Sequence, residues 1–256
     1  MGEAERRSLR KKAVKEGIFY DNFEEKSPYW DWRVDNYAGF ELEKGVLRMF
    51  MGPTEALYYS NAEISDGFFD DLPWSFKTLE VKARLEGDHY GSAGWGFWNH
   101  SMILDYCIPI WFIYLRSRGT YPLQGFFVQV GTKVQPIVLF EKPRAFTLAY
   151  MLSKISPKLI GIDILSTRPK MPGLKLREWH VYKVKWREDR VKFYIDQVEI
   201  AEIPYERYTP PKARADVWID NAVFEIRRND PGRVYRHVTQ ENRKRSYLDL
   251  DYLKIY

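Results

Sequence analysis

The sequence predicts an all-β fold, a sandwich of two antiparallel sheets, and three observations predict it. Residues 178–203, EWHVYKVKWREDRVKFYIDQVEIAEI, alternate apolar and polar side chains and break at Arg187-Glu188-Asp189 and again at Asp196-Gln197. That is the period of consecutive half-buried strands joined by turns. Gly, Pro, Asn and Asp punctuate the apolar runs at roughly the 8–12-residue spacing of a sandwich. A chain of 256 residues is also long enough to bury one sizeable core as a single domain.

Taken in order, residues 1–17 read as a short helix or a disordered basic arm, with six Lys and Arg against three Glu. From Ile18 to the end the chain reads as one domain. GIFYDNF, WDWRVD, GFELEKGVLRMFM, ALYYSNAEI, FKTLEVKARLEG and GSAGWGFWN are strand-like. IPIWFIYLRS (108–117) is continuously apolar, as expected of a strand covered on both faces. GFFVQVG (125–131) is its expected hairpin partner across GTYPLQ.

Residues 143–177 interrupt this pattern with two short apolar stretches around Pro157, which predicts a partly helical, lid-like insertion. Strands resume at Trp179, run through ADVWIDNAVFEI (215–226), and close with YLDLDYLKIY after a basic loop. No repeat of 20–50 residues argues for a solenoid or propeller.

Composition narrows the function classes. Residues 227–245 carry seven Lys and Arg against two acids, so the net charge of +5 resides in this loop and the N-terminal arm. Contact with an anionic surface through 227–245 is one consequence. A solvated tail and loop is the plainer alternative, and no nucleic-acid partner is expected. Cys107 stands alone, so no intrachain disulfide forms. The N-terminus shows no secretory h-region, and no apolar run reaches the length of a bilayer span. The expected location is therefore cytoplasmic.

Several segments also occur in the order found in a known family. FYDNFEE (19–25), FKTLEVKARLEG (76–87), GWGFWNH (94–100), EWHVYKVKW with FYIDQ, and LDYLKIY (250–256) together resemble glycoside hydrolase family 16. The resemblance spans about 19–256, with 143–177 outside it, and implies a concanavalin A-like jelly roll. Laminarinase-like members carry Glu-x-Asp-x-(x)-Glu on the strand after the Phe-Trp segment. Period-two alternation there places an acid and a nucleophile on one face, about 5 Å apart. The corresponding strand here is IPIWFIYLRS, without a carboxylate, so the family's catalytic residues carry over to no position. The resemblance further suggests Asp251, in the last strand, as part of a structural Ca²⁺ site. No other cofactor is implied.

The candidate ligand-binding residues are Trp95, Phe97, Trp98, Asn99, Trp111, Tyr114, Trp218, Asp220 and Asn221. In GWGFWN, Trp95 and Phe97 share one face and Trp98 takes the other, so one set is core and one lines a groove. Trp111 and Tyr114 carry the same ambiguity. Asp220 and Asn221 either bond a ligand beside Trp218 or close a turn at the strand end. Asp220 with Glu225 is the weak candidate for a displaced catalytic pair, although opposite strand faces separate them. The four His, at 89, 100, 180 and 237, show no metal-binding spacing.

The leading expectation is carbohydrate binding without the standard retaining chemistry, by stacking on Trp95, Trp98 or Trp218. The first alternative is an apolar small molecule or lipid held in an aromatic groove under the insertion. The second is a glycosidase with relocated acids.

Overall fold

The computed structural model describes residues 3–56, 58–67, 72–99, 109–118, 123–140, 143–155, 161–205, 212–224, 235–237 and 242–256. Glu225, Cys107, the turn at 119–122 and most of the basic 227–245 loop lie outside the described residues. The chain opens with helix α1 (Glu3–Glu16), then β1 (Phe19–Asp21), β2 (Asp31–Asp35), β3 (Ala38–Glu43), β4 (Val46–Met51) and β5 (Asn61–Ser65). Next come β6 (Thr78–Glu86), β7 (Gly91–Trp98), β8 (Ile110–Arg116), β9 (Gly125–Val130) and β10 (Lys133–Leu139). Helix α2 (Pro143–Ile155) and β11 (Asp163–Ile164) precede β12 (His180–Trp186), β13 (Arg190–Ile195) and β14 (Val198–Pro204). The last strands are β15 (Arg214–Asp220), β16 (Ala222–Phe224), β17 (Tyr235–His237) and β18 (Ser246–Ile255).

Two sheets stack face to face. The first runs β14-β13-β12-β6-β18-β4-β3, with β1 on the far end of β18. The second runs β11-β10-β9-β8-β7-β15-β5-β2. Every pairing in them is antiparallel except β10 with the two-residue β11. β16 and β17 make a separate two-stranded piece. The predicted hairpin of the continuous apolar segment forms, with Ile113 opposite Phe127. At Asp196-Gln197 both residues take left-handed φ, 48° and 70°, as a two-residue hairpin between β13 and β14 requires.

The core lies between the sheets. Tyr182 of the first sheet meets Trp95, Phe112 and Phe126 of the second at centroid distances of 4.6, 5.2 and 5.7 Å. Phe97 meets Trp186 at 5.6 Å. Such aromatic contacts add to the large apolar area these rings withdraw from water.

Two expectations sharpen. The N-terminal arm is a helix tied to the sandwich: Ala13 is buried, Arg10 donates to the Tyr29 carbonyl, and Arg6 and Arg10 pair with Asp31. The 143–177 insertion supplies α2 and also a ladder strand, because β11 adds to the open edge of β10. Among the described residues no helix is long and apolar enough to cross a membrane.

Candidate functional site

The outer face of the second sheet departs from the usual polar exterior. Alternation along β7 sends Ala93, Trp95 and Phe97 inward and Gly94, Gly96 and Trp98 outward. On β8, Phe112 and Tyr114 turn inward, and Trp111 and Ile113 turn outward. Trp95, Phe97 and Tyr114 are therefore core residues, 2%, 0% and 5% exposed, and not groove residues. Their partners on the first sheet bury them, and the Tyr114 hydroxyl is spent on the His89 carbonyl at 2.7 Å.

Three of the candidate tryptophans do come together. Trp98, Trp111 and Trp218 form a row across β7, β8 and β15, with centroids 5.9 Å and then 4.8 Å apart. The two outward glycines make the row possible. A Cβ on Gly94 would meet the Trp218 ring at 2.5 Å, and one on Gly96 would meet the Trp111 Cβ at 2.5 Å. Each of two indoles is held by its own N–H. Trp218 Nε1 donates to Ser92 Oγ at 2.9 Å, and Trp111 Nε1 to Gln129 Oε1 at 3.0 Å. Trp98 and Trp111 remain half-buried, and Trp218 is 9% exposed.

Flanking this row on one side is a buried polar cluster that the sequence reading did not single out. Arg214 Nη2 lies 2.9 Å from Glu63 Oε1 and 3.0 Å from Asp216 Oδ2, and its guanidinium sits 5.0 Å from the Trp98 ring. Asn61 donates to Glu63 Oε2 at 3.1 Å. Asp216 is 2% exposed, and its Oδ1 accepts no hydrogen bond. Burial pushes the Asp216 carboxyl well above the ordinary range, the Glu63 charge adds to this, and Arg214 only partly offsets it. The readable signal was spacing: Arg214 and Asp216 stand four and two positions before Trp218, on the same face of the strand.

On the other side α2 packs against the sheet. Phe146 and Ala149 cover Phe127, Ile113 and Val134, and Trp218 and Trp111 border this cluster. The insertion thus walls the tryptophan row and leaves Phe112 and Tyr114 to the interior. Between the sheets, the cavity lined by Trp95, Tyr114, Phe126 and Tyr182 measures about 10 Å³. That is room for a water molecule and far too little for a lipid chain.

Asp220 and Asn221 are brought to the same region but are largely committed to it. Asp220 accepts from Ser92 N, Ser92 Oγ and Ala222 N at 3.2, 2.8 and 3.0 Å, and from the Tyr59 hydroxyl at 3.4 Å. Burial still pushes its carboxyl up to about 7. Asn221 is fully buried, accepts from Ser60 N and donates to the Tyr58 carbonyl, which corrects the expectation that it reaches a ligand. Its turn at the strand end uses both ends of the amide. Asn99 directly follows β7 and is buried. The pairing of Asp220 with Glu225 falls outside the described residues.

Asp251 sits at the bulge of β18, on the outer face of the first sheet, 2.7 Å from Lys82 Nζ. A lysine ammonium supplies the positive charge there, so this donor set does not fit Ca²⁺. Among the described residues no group of three or more His, Cys, Asp or Glu could hold a metal ion.

No protein-family profile matches the chain, and no curated protein matches it significantly. Solved structures do. A laminarinase from Flavobacterium sp. UMI-01 superposes with a TM-score of 0.56 at 12% identity, covering 93% of this chain and 98% of its own. A Bacillus licheniformis β-glucanase gives 0.52 at 13% identity over 93% and 97%. The κ-carrageenase of Pseudoalteromonas carrageenovora, solved with an oligotetrasaccharide, gives 0.54 at 10% identity over 92% of each chain. At such identities the likeness is one of fold. The chain has the concanavalin A-like jelly roll of family 16 glycanases.

Proposed function

We propose that the outer face of the second sheet binds a glycan, with the half-buried Trp98 and Trp111 as its stacking platform and the buried Trp218 packed behind them. The observation that carries this is the row itself: three adjacent indoles facing outward, two anchored through their N–H groups. Sugar rings stack on such surfaces through their C–H faces. The glycan-acting neighbours of the same fold support a carbohydrate ligand.

Calorimetry against laminarin, mixed-linkage glucan and carrageenan oligosaccharides tests the proposal. Binding should appear in the micromolar to millimolar range, and Trp111→Ala should weaken it by roughly ten- to a hundredfold, as loss of one aromatic contact does. No heat for any glycan at millimolar concentration would overturn it.

A second reading has its own observation. Two carboxylate oxygens that share one Arg214 nitrogen are at most about 6 Å apart, compatible with the spacing of a retaining acid pair. In this reading Asp216 is the acid and Glu63 the nucleophile, and both must be released from Arg214, which holds them in the structure. It predicts glycan cleavage that Glu63→Gln abolishes, and fails if purified protein releases no reducing ends.

A further inference from the structure

Helix α2 has two apolar faces, and among the described residues only one is packed against the sandwich. Phe146, Ala149 and Ser153 turn onto the sheet and are buried. Leu148, Met151, Leu152 and Ile155, at i, i+3, i+4 and i+7, form a second stripe and are 54%, 48%, 42% and 80% exposed. A second apolar stripe at this spacing is a contact surface that the sandwich leaves unfilled.

Charge decides what fits it. The helix, PRAFTLAYMLSKI, contains Arg144 and Lys154 and no acid. Across 143–177 the sequence carries seven Lys and Arg against the single acid Asp163, which Lys154 engages. Arg144, Arg168, Lys170 and Arg177 are exposed. A second copy of the chain is disfavoured by this pattern. Packed antiparallel, Arg144 would approach the copy's Lys154, and packed parallel, each cation would meet itself. An apolar stripe between basic ends instead suits a surface that is apolar within and anionic at its edge.

We propose that α2 is an interfacial anchor that docks the protein on an anionic lipid bilayer. The stripe enters the headgroup–acyl boundary, with Arg144 at the phosphates. The tryptophan row, on the sheet beside α2, is then held close to that surface. Neither signal alone is strong, so both contribute to attachment.

Co-sedimentation of the full chain with vesicles tests this, using phosphatidylcholine alone or with about a third phosphatidylglycerol. The wild type should sediment with the anionic vesicles at least roughly tenfold more than with neutral ones, and should be released by salt near 0.5 M. Leu152→Glu with Ile155→Glu should abolish sedimentation while leaving the thermal melt and glycan titration unchanged, because both side chains are exposed. Arg144→Gln should weaken it several-fold. Equal sedimentation of wild type and double variant would overturn the proposal, as would absence of binding to anionic vesicles. A dimer by ultracentrifugation that the double variant dissolves, without vesicle binding, would assign the stripe to a second copy and overturn it too.

Discussion

The two sheets turn similar faces toward each other and very different faces outward. On the first sheet the outer side chains form ion pairs at the surface. Lys183 meets Glu80 at 2.9 Å, Lys82 meets Asp251 at 2.7 Å, and Lys192 reaches Glu202 at 2.8 Å. On the second sheet the outward positions carry three tryptophans, two glycines and a carboxylate–guanidinium cluster shut off from water. An exterior of exchangeable charges asks little of its neighbours. One that buries ions commits every partner, because an ion withdrawn from water must be compensated where it stands.

The largest expected effect turns on that difference. Arg214→Ala leaves Asp216 buried without its cation and Glu63 with only Arg33, 3.8 Å away, and should cost about 3–5 kcal/mol, the usual penalty for orphaning a buried charge. The first sheet has a counterpart in Asp249, which is fully buried and clamped by Arg48 and Arg84 at 2.9 and 2.8 Å. Asp249→Ala removes the nearer partner of two guanidinium groups that are about a quarter exposed and that keep Glu86 at 3.6 and 3.4 Å. It should cost less, roughly 1.5–3 kcal/mol for lost charged hydrogen bonds. Urea denaturation of both variants decides the comparison, and equal losses would mean that the second face buries charge no more strictly than the first.

The same contrast explains what could be read from the sequence. EWHVYKVKWREDRVKFYIDQ was legible because its outer face is charged, so alternation shows directly. IWFIYLR, GSAGWGFW and RADVWID hide it, since both of their faces are covered. The expectation of a doubly covered strand was correct for β8, and alternation correctly separated Trp95 and Phe97 from Trp98. It could not say which set faced inward. Gly94 and Gly96 held that information: glycine on one face of a strand marks where another ring lies flat. The ion cluster was harder to see because Glu63 and Arg214 are 151 positions apart. Only the pairing of β5 with β15 brings them together. Of the two alternatives for Asn221 the structure takes the strand-end turn, since an amide after a strand competes for main-chain partners before any ligand does.

Next in size is a pH effect on the second face. Asp220 has a folded pKa of about 7 against an ordinary 3.8, so the folded chain holds this proton more tightly than the unfolded one. Its contribution to stability is greatest below 3.8 and falls away as pH rises to about 7. Asp220→Asn keeps an oxygen for Ser92 and Ala222 and removes the ionisation. The variant should match the wild type near pH 4 and exceed it above pH 7, by at most about 4 kcal/mol. A gap that does not widen over that interval would mean Asp220 reaches water.

The smallest effect carries the opposite sign and comes from the first face. Glu80 is partly buried, which raises its pKa, but this is outweighed by donors: Lys183 at 2.9 Å and the hydroxyls of Tyr252 and Tyr256 at 3.0 and 3.3 Å. Its carboxyl is therefore lowered from the ordinary 4.5, and its contribution is present above that pH and lost as pH falls below it. Glu80→Gln should destabilise the protein at neutral pH by less than about 1 kcal/mol, since the group is solvent-screened. The loss should shrink in 0.5 M salt and vanish in acid, where Asp220→Asn is also silent. One carboxylate is stabilised by ionising and the other is strained by it, although both point outward from strands of a single sandwich. If denaturation midpoints show Glu80→Gln stabilising at neutral pH, the surface ion pairs of the first sheet cost more in burial than they return.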